Sequence, residues 1–558
     1  MAAGALILGL TPVHGESSDT GLRFVDVTSG SGIQYRNVCG ARPGDKGWLM
    51  ESMGAGAAWL DYDNDGNLDL YVVNGSTLER DAGEGEPNQL FRGDGRGHFK
   101  DVTQQARVGD RGWGHGVAVG DIDNDGDADI YVTNYGPNVL YRNNGDGTFD
   151  DITKAAGVGN ELWSTSAAFF DMDGDGNLDL YVGNYMVGTP DKVPRRGSEE
   201  ARKGNCHYRG LHVFCGPMGQ VPFQNVLYRG SGDGKFRDVT RESGVWLEQP
   251  RYTLGVVTAD YDNDGDQDIY AANDSVQNSL WRNNGDGTFA DVGVPTMSAL
   301  NADGKAQAGM GVNFGDYDAD GWLDIIVTNF AHDLSTVYRN QLGKFFLDDS
   351  ILSGLGVTRQ TLSWGTAFHD FDCDGDLDLF IANGHVYPQV DDYALGTSFR
   401  QTNHLLVNEG GRFGDATAAS GPGLAIARSY RGAAFGDYDN DGDMDVFATA
   451  LDEEALLLRN DSPRRGHYLE IRLIGTDSNR DAVGTRVALT AGGRRQIRQR
   501  KGGGSYLSAS DPRLHFGLGS STTVDLVEIR WPGGKKAVVR DIPADRVITI
   551  REDRGVVE

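Results

Sequence analysis

Asp61-Tyr-Asp-Asn-Asp-Gly-Asn-Leu-Asp69 sets aspartates at positions 1, 3, 5 and 9 of nine residues, with glycine at position 6. The pattern returns as DIDNDGDAD from Asp121, DMDGDGNLD from Asp171, DYDNDGDQD from Asp260, DYDADGWLD from Asp316, DFDCDGDLD from Asp370 and DYDNDGDMD from Asp437. The intervals are 60, 50, 89, 56, 54 and 67 residues. Recurrence on this scale marks a repeat architecture, in which one supersecondary unit is built again and again.

Outward from each loop the unit can be read. Gly116-Val-Ala-Val-Gly120 leads into the second loop and Ile130-Tyr-Val-Thr133 leaves it. Asn138-Val-Leu-Tyr-Arg142 follows, then a Gly-Asp-Gly turn and Phe149-Asp-Asp-Ile-Thr153. Equivalent stretches are Asn88–Thr103, Asn225–Thr240 and Asn278–Val292, with degraded copies at Thr336–Asp348 and Asn403–Thr417. Short apolar runs punctuated by Gly, Asn and Asp are strands joined by hairpins. Four strands per unit, repeated radially, describe a blade, so seven loops predict a seven-bladed β-propeller in an all-β chain. The seventh unit lacks a fourth strand, and the orphan Phe24-Val-Asp-Val-Thr28 matches that strand. The N-terminal segment is therefore expected to close the ring and protect the sheet edges.

Alternate carboxylates around a glycine make an oxygen cage for a hard cation, since Ca²⁺ takes six to eight oxygens and glycine permits the sharp turn. Asp-Gly turn chemistry accounts for any one loop. It does not account for four acids in nine residues seven times over, because like charges so close repel without a counterion. By analogy with the first half of an EF-hand, positions 1, 3, 5 and 9 supply side-chain oxygens and position 7 a backbone carbonyl. The expected ligands are Asp61, Asp63, Asp65, Asn67 and Asp69 in the first loop, and Asp121, Asp123, Asp125, Asp127 and Asp129 in the second. The third gives Asp171, Asp173, Asp175, Asn177 and Asp179, the fourth Asp260, Asp262, Asp264, Asp266 and Asp268. Asp316, Asp318, Asp320, Trp322 and Asp324 form the fifth, Asp370, Asp372, Asp374, Asp376 and Asp378 the sixth, and Asp437, Asp439, Asp441, Asp443 and Asp445 the seventh. Up to seven Ca²⁺ are expected, with Mg²⁺ disfavoured because it keeps its waters.

The composition agrees. Of 558 residues, 81 are Asp or Glu against 51 Lys or Arg, a net charge of −30 that seven Ca²⁺ would reduce to −16. So acidic a chain is not built to grip nucleic acid. Residues 1–15 include AAGALILGLTP and resemble the end of a secretory signal peptide without its basic start. Beyond them no apolar run is long enough to span a membrane. A secreted, extracellular or periplasmic location is expected.

The propeller is expected to occupy 16–461. From Ser462 the Asp loops stop, and alternating runs beginning with His467–Ile474 predict a small β-sandwich over 462–558. This module carries 18 Lys and Arg against 11 Asp and Glu, a net of +7 that leaves −37 on the remainder. The asymmetry points to docking on the propeller or to an acidic ligand, with Arg494, Arg495, Arg498, Arg500 and Lys501 as the densest basic run. The loops resemble those of FG-GAP/VCBS repeats, as in the integrin α-chain propeller. Asn479–Val487, His515–Gly519 and Ile529–Gly534 resemble the ASPIC/UnbV module, a combination found in the cartilage acidic protein family.

An insertion at 186–223 holds Cys206-His-Tyr-Arg-Gly-Leu-His-Val-Phe-Cys215, for which a stapling disulfide is favoured over a metal site using His207 and His212. The pairing of Cys39 and Cys373 is open. Five residues before each Asp loop stands a small residue, Gly in six blades and Ser166 in the third, consistent with crowding near the axis. One residue earlier the ring is irregular, and His115, Trp364 and Arg431 are candidate ligand-binding residues at the channel mouth, with packing variation as the plainer explanation. No nucleophile elbow, zinc-protease helix, P-loop or dinucleotide fingerprint is present. The expected role is non-catalytic recognition or adhesion toward an extracellular glycan or protein ligand. A polysaccharide-active enzyme and a structural component of a cell-surface assembly are the alternatives.

Overall fold

The computed structural model describes residues 21–81, 83–204, 206–463 and 466–557; the signal-peptide reading lies outside them. Seven four-stranded antiparallel meanders follow one another. The first consists of Ala57–Leu60, Asp69–Val72, Gln89–Gly93 and Phe99–Asp101, and the second of Gly114–Gly120, Asp129–Asn134, Val139–Asn143 and Phe149–Asp151. The first strands of successive blades touch in ring order, and that of the seventh, Tyr430–Gly436, touches that of the first. Phe24–Asp26 pairs with Leu456–Asn460 as the seventh blade's fourth strand, Phe24 opposite Asn460 and Asp26 opposite Leu458.

Local chemistry explains each blade's limits. The fourth strand stops at Asp151, earlier than the sequence pattern suggests, because Asp151 Oδ1 accepts the Thr153 N–H at 3.0 Å and hydroxyl at 2.6 Å. Thr153 Oγ1 then accepts the Leu140 N–H of the third strand at 2.8 Å. The N-terminal segment repeats this device, with Asp26 holding Thr28 and Thr28 Oγ1 accepting the Leu457 N–H at 2.8 Å. Asparagines ending third strands join neighbouring blades. Asn143 Nδ2 donates to Tyr62 O of the preceding blade at 2.8 Å, as Asn283 does to Met172 O, Asn340 to Tyr261 O, Asn408 to Tyr317 O and Asn460 to Phe371 O.

The C-terminal module is a sandwich of two four-stranded sheets. One runs Leu514–Gly519, His467–Ile474, Arg546–Arg551, Gly555–Val556, and the other Arg494–Gln499, Arg486–Ala491, Thr523–Arg530, Lys536–Pro543. Leu469, Ile471, Leu489, Phe516, Val527 and Trp531 fill its core. Between two of its strands the chain leaves the sandwich and enters the centre of the ring. Gly502–Gly503 adds to the fourth blade's first strand, opposite Thr258 and Val257. Ser505 bridges Val312 of the fifth blade, and its hydroxyl lies within hydrogen-bonding reach of Thr366 N in the sixth and Ala433 O in the seventh. Leu507 accepts the Val117 N–H of the second blade and gives its own N–H to Ser166 Oγ of the third, each at 3.1 Å. Ala509 completes the circuit on Ala57 and Trp59 of the first. This tip thus bonds to the inner strand of every blade. Its glycines are obligatory: a Cβ on Gly502 would stand 2.1 Å from Phe169 O.

Candidate functional site

The seven Asp loops share one hydrogen-bond scheme. In the first, position 1 accepts two backbone N–H groups, Asp65 N on Asp61 Oδ1 at 3.0 Å and Gly66 N on Oδ2 at 3.1 Å. The position-7 N–H donates to the position-5 carboxylate in all seven loops, at 2.7–2.9 Å. Position 9 is buried and accepts an N–H from the end of the third strand in every blade, as Asp69 does from Gly93 at 2.8 Å. This aspartate is therefore also a structural tie. Position 6 is a left-handed glycine throughout, from φ 84° at Gly176 to 113° at Gly265. Position 4 is left-handed too, a demand the sequence reading missed although Asn or Gly fills five of the seven.

The electrostatics of these loops fit a divalent cation. In each of the first four loops the aspartates of positions 1, 3 and 9 bring one carboxylate oxygen each within 4.8 Å of one another; in the fifth, Asp316, Asp318 and Asp320 do so. Buried Oδ1 atoms of Asp63, Asp123, Asp173, Asp260 and Asp439 have no hydrogen-bond partner. Burial pushes Asp69 up to about 8, Asp129 to about 9 and Asp121, Asp260 and Asp316 to about 7, with neighbouring carboxylates adding to the rise. A dication would satisfy the orphan oxygens and reverse that shift. The arginine that recurs in the third strand faces the same cage: Arg92 lies 2.7 Å from Asp63 and 2.9 Å from Asp65, and Arg229 2.5 Å from Asp173.

The basic module sits on this loop-bearing face. Arg472 is 3.5 Å from Asp61, Asp481 accepts the Asp121 N–H at 2.8 Å, and Arg530 donates to the Asn263 and Asp264 carbonyls at 3.0 and 2.7 Å. Arg486 reaches Gly321 O at 2.5 Å, Arg494 reaches Asp374 O at 2.9 Å and pairs with Asp376, and Arg513 reaches Asp437 O at 2.5 Å. The module's Asp477 backbone packs against Gly176 of the third loop. Arg495 alone of the basic run faces away, toward Glu528. Lys501 lies part-buried beside Arg498 and Arg500, and desolvation with those neighbours holds it down at about 7. A cavity of about 380 Å³ remains between the two bodies, lined by Arg472, Arg480, Arg500, Asp61, Asp121 and His369 among others.

The channel mouth that His115, Trp364 and Arg431 were expected to line is filled. They are 0%, 2% and 0% exposed, so none presents its side chain to solvent. Tyr506 of the inserted tip lies 4.8 Å from the Trp364 ring, and Arg431 stacks over that ring at 4.4 Å while donating to the carbonyls of Ser52, Gly384 and Tyr430. Burial pushes Arg431 down to about 10 and His115 to about 4. From the far side the channel is closed by residues 39–53 and by the 186–223 insertion, tied by Trp48 Nε1 to Val193 O at 3.0 Å. Cys206 and Cys215 form a disulfide in that insertion; Cys39 and Cys373 are buried in separate places, Cys373 Sγ 3.9 Å from His515 Nε2. The hairpin closed by the disulfide packs Tyr208 against Phe330, His332, His385 and Tyr387, a polar and aromatic cluster that no sequence spacing announced.

A family model described as FG-GAP-like repeat matches residues 61–132, 121–182, 213–271, 260–327, 316–381 and 389–448, and one described as ASPIC and UnbV matches 475–557. Cartilage acidic protein 1 of Homo sapiens is 28% identical over 324 residues, 57% of this chain and 46% of that protein. The Xenopus tropicalis protein of the same name is 28% identical over 287 residues, 50% of this chain and 42% of the other. The chain thus spans less than half the length of these relatives. Among solved structures, an Agrocybe aegerita lectin described as recognising non-reducing terminal N-acetylglucosamine aligns with a TM-score of 0.40 at 18% identity, covering 72% of this chain and 86% of the lectin.

Proposed function

The chain belongs to the FG-GAP-like repeat family and carries an ASPIC and UnbV domain, and from this we propose that it is an exported, calcium-binding propeller that recognises a glycan or protein ligand without transforming it. The observation that carries the calcium reading is the set of buried, unpartnered Asp oxygens in loops whose turns are otherwise held by backbone N–H groups. Bound there, Ca²⁺ supplies positive charge and coordination that lock the turn. The chain's part is to hold positions 1, 5 and 9 in place through backbone N–H donors, leaving position-3 oxygens free for the ion. The disulfide supports a compartment outside the reducing cytosol. Recognition is assigned to the face away from the module, because the module covers the loop face.

Melting under verified metal removal tests this reading. A ligand bound only by the folded state stabilises it by about 2.7 kcal/mol per site at a hundredfold excess over its dissociation constant. Chelation should lower the melting temperature substantially, and Ca²⁺ should restore it better than Mg²⁺. An unchanged melting curve sinks the calcium reading, and a blank glycan and matrix-protein array sinks the recognition reading.

A further inference from the structure

Three side chains from distant parts of the chain meet on the face of the ring opposite the module. Tyr208 comes from the disulfide-closed hairpin, His332 follows the fifth blade's second strand, and His385 follows the sixth's. The Tyr208 ring centroid lies 5.3 Å from that of His385 and 6.3 Å from that of His332, with Phe330 and Tyr387 each at 5.5 Å. His332 Nε2 and His385 Nε2 are buried without a hydrogen-bond partner, and the buried Tyr208 hydroxyl has the Arg209 guanidinium beside it. His385 as a whole is 0% exposed. Buried polar atoms are nearly always satisfied, so two unpartnered imidazole nitrogens in one cluster call for a partner. The backbone is strained at the same place, with His332 at φ 72° and Arg209 at φ 47°.

His385 decides what that partner is. Its Nδ1 accepts the Tyr387 N–H at 3.1 Å, so the neutral ring carries its proton on Nε2 and donates there. Burial, then Arg431 and His332, hold this imidazole down at about 3, which keeps it neutral at working pH. A cation would need the Nε2 lone pair and would break the Tyr387 bond. The phenol is a second donor, and the exposed Arg209 guanidinium acts on both Tyr208 and His332. The insertion carries six basic residues against three acidic ones in an otherwise acidic ring. We propose that Tyr208, Arg209, His332 and His385 bind the carboxylate of an acidic sugar, the part-buried Phe330 ring offering the apolar surface on which a pyranose packs. This site rests on the recognition reading above and names its ligand class.

Calorimetry on the calcium-loaded full chain tests the site, with digalacturonate and glucuronate as probes and their methyl esters as uncharged controls. The acids should bind saturably and the esters at least about tenfold more weakly, the loss expected when a charge-assisted hydrogen bond is removed. Tyr208→Phe, which keeps the ring and its packing, and Arg209→Ala, on the exposed hairpin turn, should each weaken the acids by roughly tenfold with an unchanged melting temperature. No binding of either acid, equal affinity for acid and ester, or indifference to both substitutions overturns the proposal. So does saturable Zn²⁺ binding that His332→Ala abolishes, which would make the cluster a metal site. The calcium-dependent melting shift and an array signal from another ligand would survive any of these outcomes, so the two readings fail separately.

Discussion

A single residue in each Asp loop carries a cost that its neighbours disguise. Position 4 is left-handed in all seven, and non-glycine residues other than Asn or Asp resist that conformation. Asn64 uses it to send Nδ2 to Asp127 Oδ1 of the next loop at 2.6 Å, and Asn124 likewise reaches Gly176 O at 3.1 Å. Ala319 holds the same conformation at φ 58° with nothing to offer in return. Ala319→Asn should therefore raise stability by about 1 kcal/mol, seen as a shifted denaturant midpoint at constant slope; a midpoint that falls would mean the left-handed turn is not what limits this loop. The loop carboxylates predict a pH signature. In the metal-free protein Asp69, Asp129 and Asp121 sit above their ordinary range, so between about pH 4 and 8 the folded state binds protons that the unfolded state has released. Metal-free stability should fall as pH rises through that window. With Ca²⁺ bound the sign reverses, because protons then compete with the ion for ionised ligands. Melting curves at pH 5 and 8, with chelator and with calcium, should cross over; parallel pH dependences would remove the loops from the pH response.

At the scale of elements, the inserted tip changes how the ring holds together. A propeller axis is normally crowded by its own inner strands, and here Gly56 of the first blade is small because a Cβ would stand 1.7 Å from Leu507 O of the module. Gly56→Ala should push the tip out, lowering the melting temperature and opening 500–511 to protease while leaving the blades' far-ultraviolet spectrum intact. A tip that stays protected would show that Leu507 can shift at little cost. The latch is the companion element: without Phe24–Asp26 the seventh sheet ends in an open edge, so a chain starting after Thr28 should aggregate or unfold with lost cooperativity. These two elements also mark how far the sequence could be read. The latch was legible because Phe24-Val-Asp-Val-Thr28 repeats a motif whose Asp and Thr do local work in every blade. The loops were legible for the same reason. The tip was not, because Gly502 to Ala509 has no period of its own and its meaning lies in seven strands hundreds of residues away. The ring of His115, Trp364 and Arg431 was correctly singled out as irregular, but its irregularity answers Tyr506 and the cap rather than an open mouth. The Tyr208 cluster assembles from three segments with no shared spacing, which only the fold brings together.

For the whole molecule, the charge asymmetry finds its use in the docking of module on ring. The ring's −37 faces a module of +7 whose arginines address the loops one by one, mostly through loop carbonyls and only partly through carboxylates. Exposed pairs such as Arg472 with Asp61 contribute little and are screened by salt. The buried contacts are not: the tip's backbone bonds, and Tyr506 and Leu507, which are 0% and 1% exposed. Expressing the ring and the module as separate chains divided at Ser462 should then give pieces that reassociate. Their affinity should drop on going from low to high salt by the rim term alone and remain measurable in 1 M salt, about where the Debye length has shrunk to 3 Å. The ring by itself should melt earlier than the full chain, because its apolar axis around Trp364 and Met310 loses its filling. Adding the module should restore the higher transition in proportion to its concentration, as mass action requires. A ring that melts like the full chain, or an association that vanishes at moderate salt, would show that the module merely rests on the loops and that the tip is not what unites the two bodies.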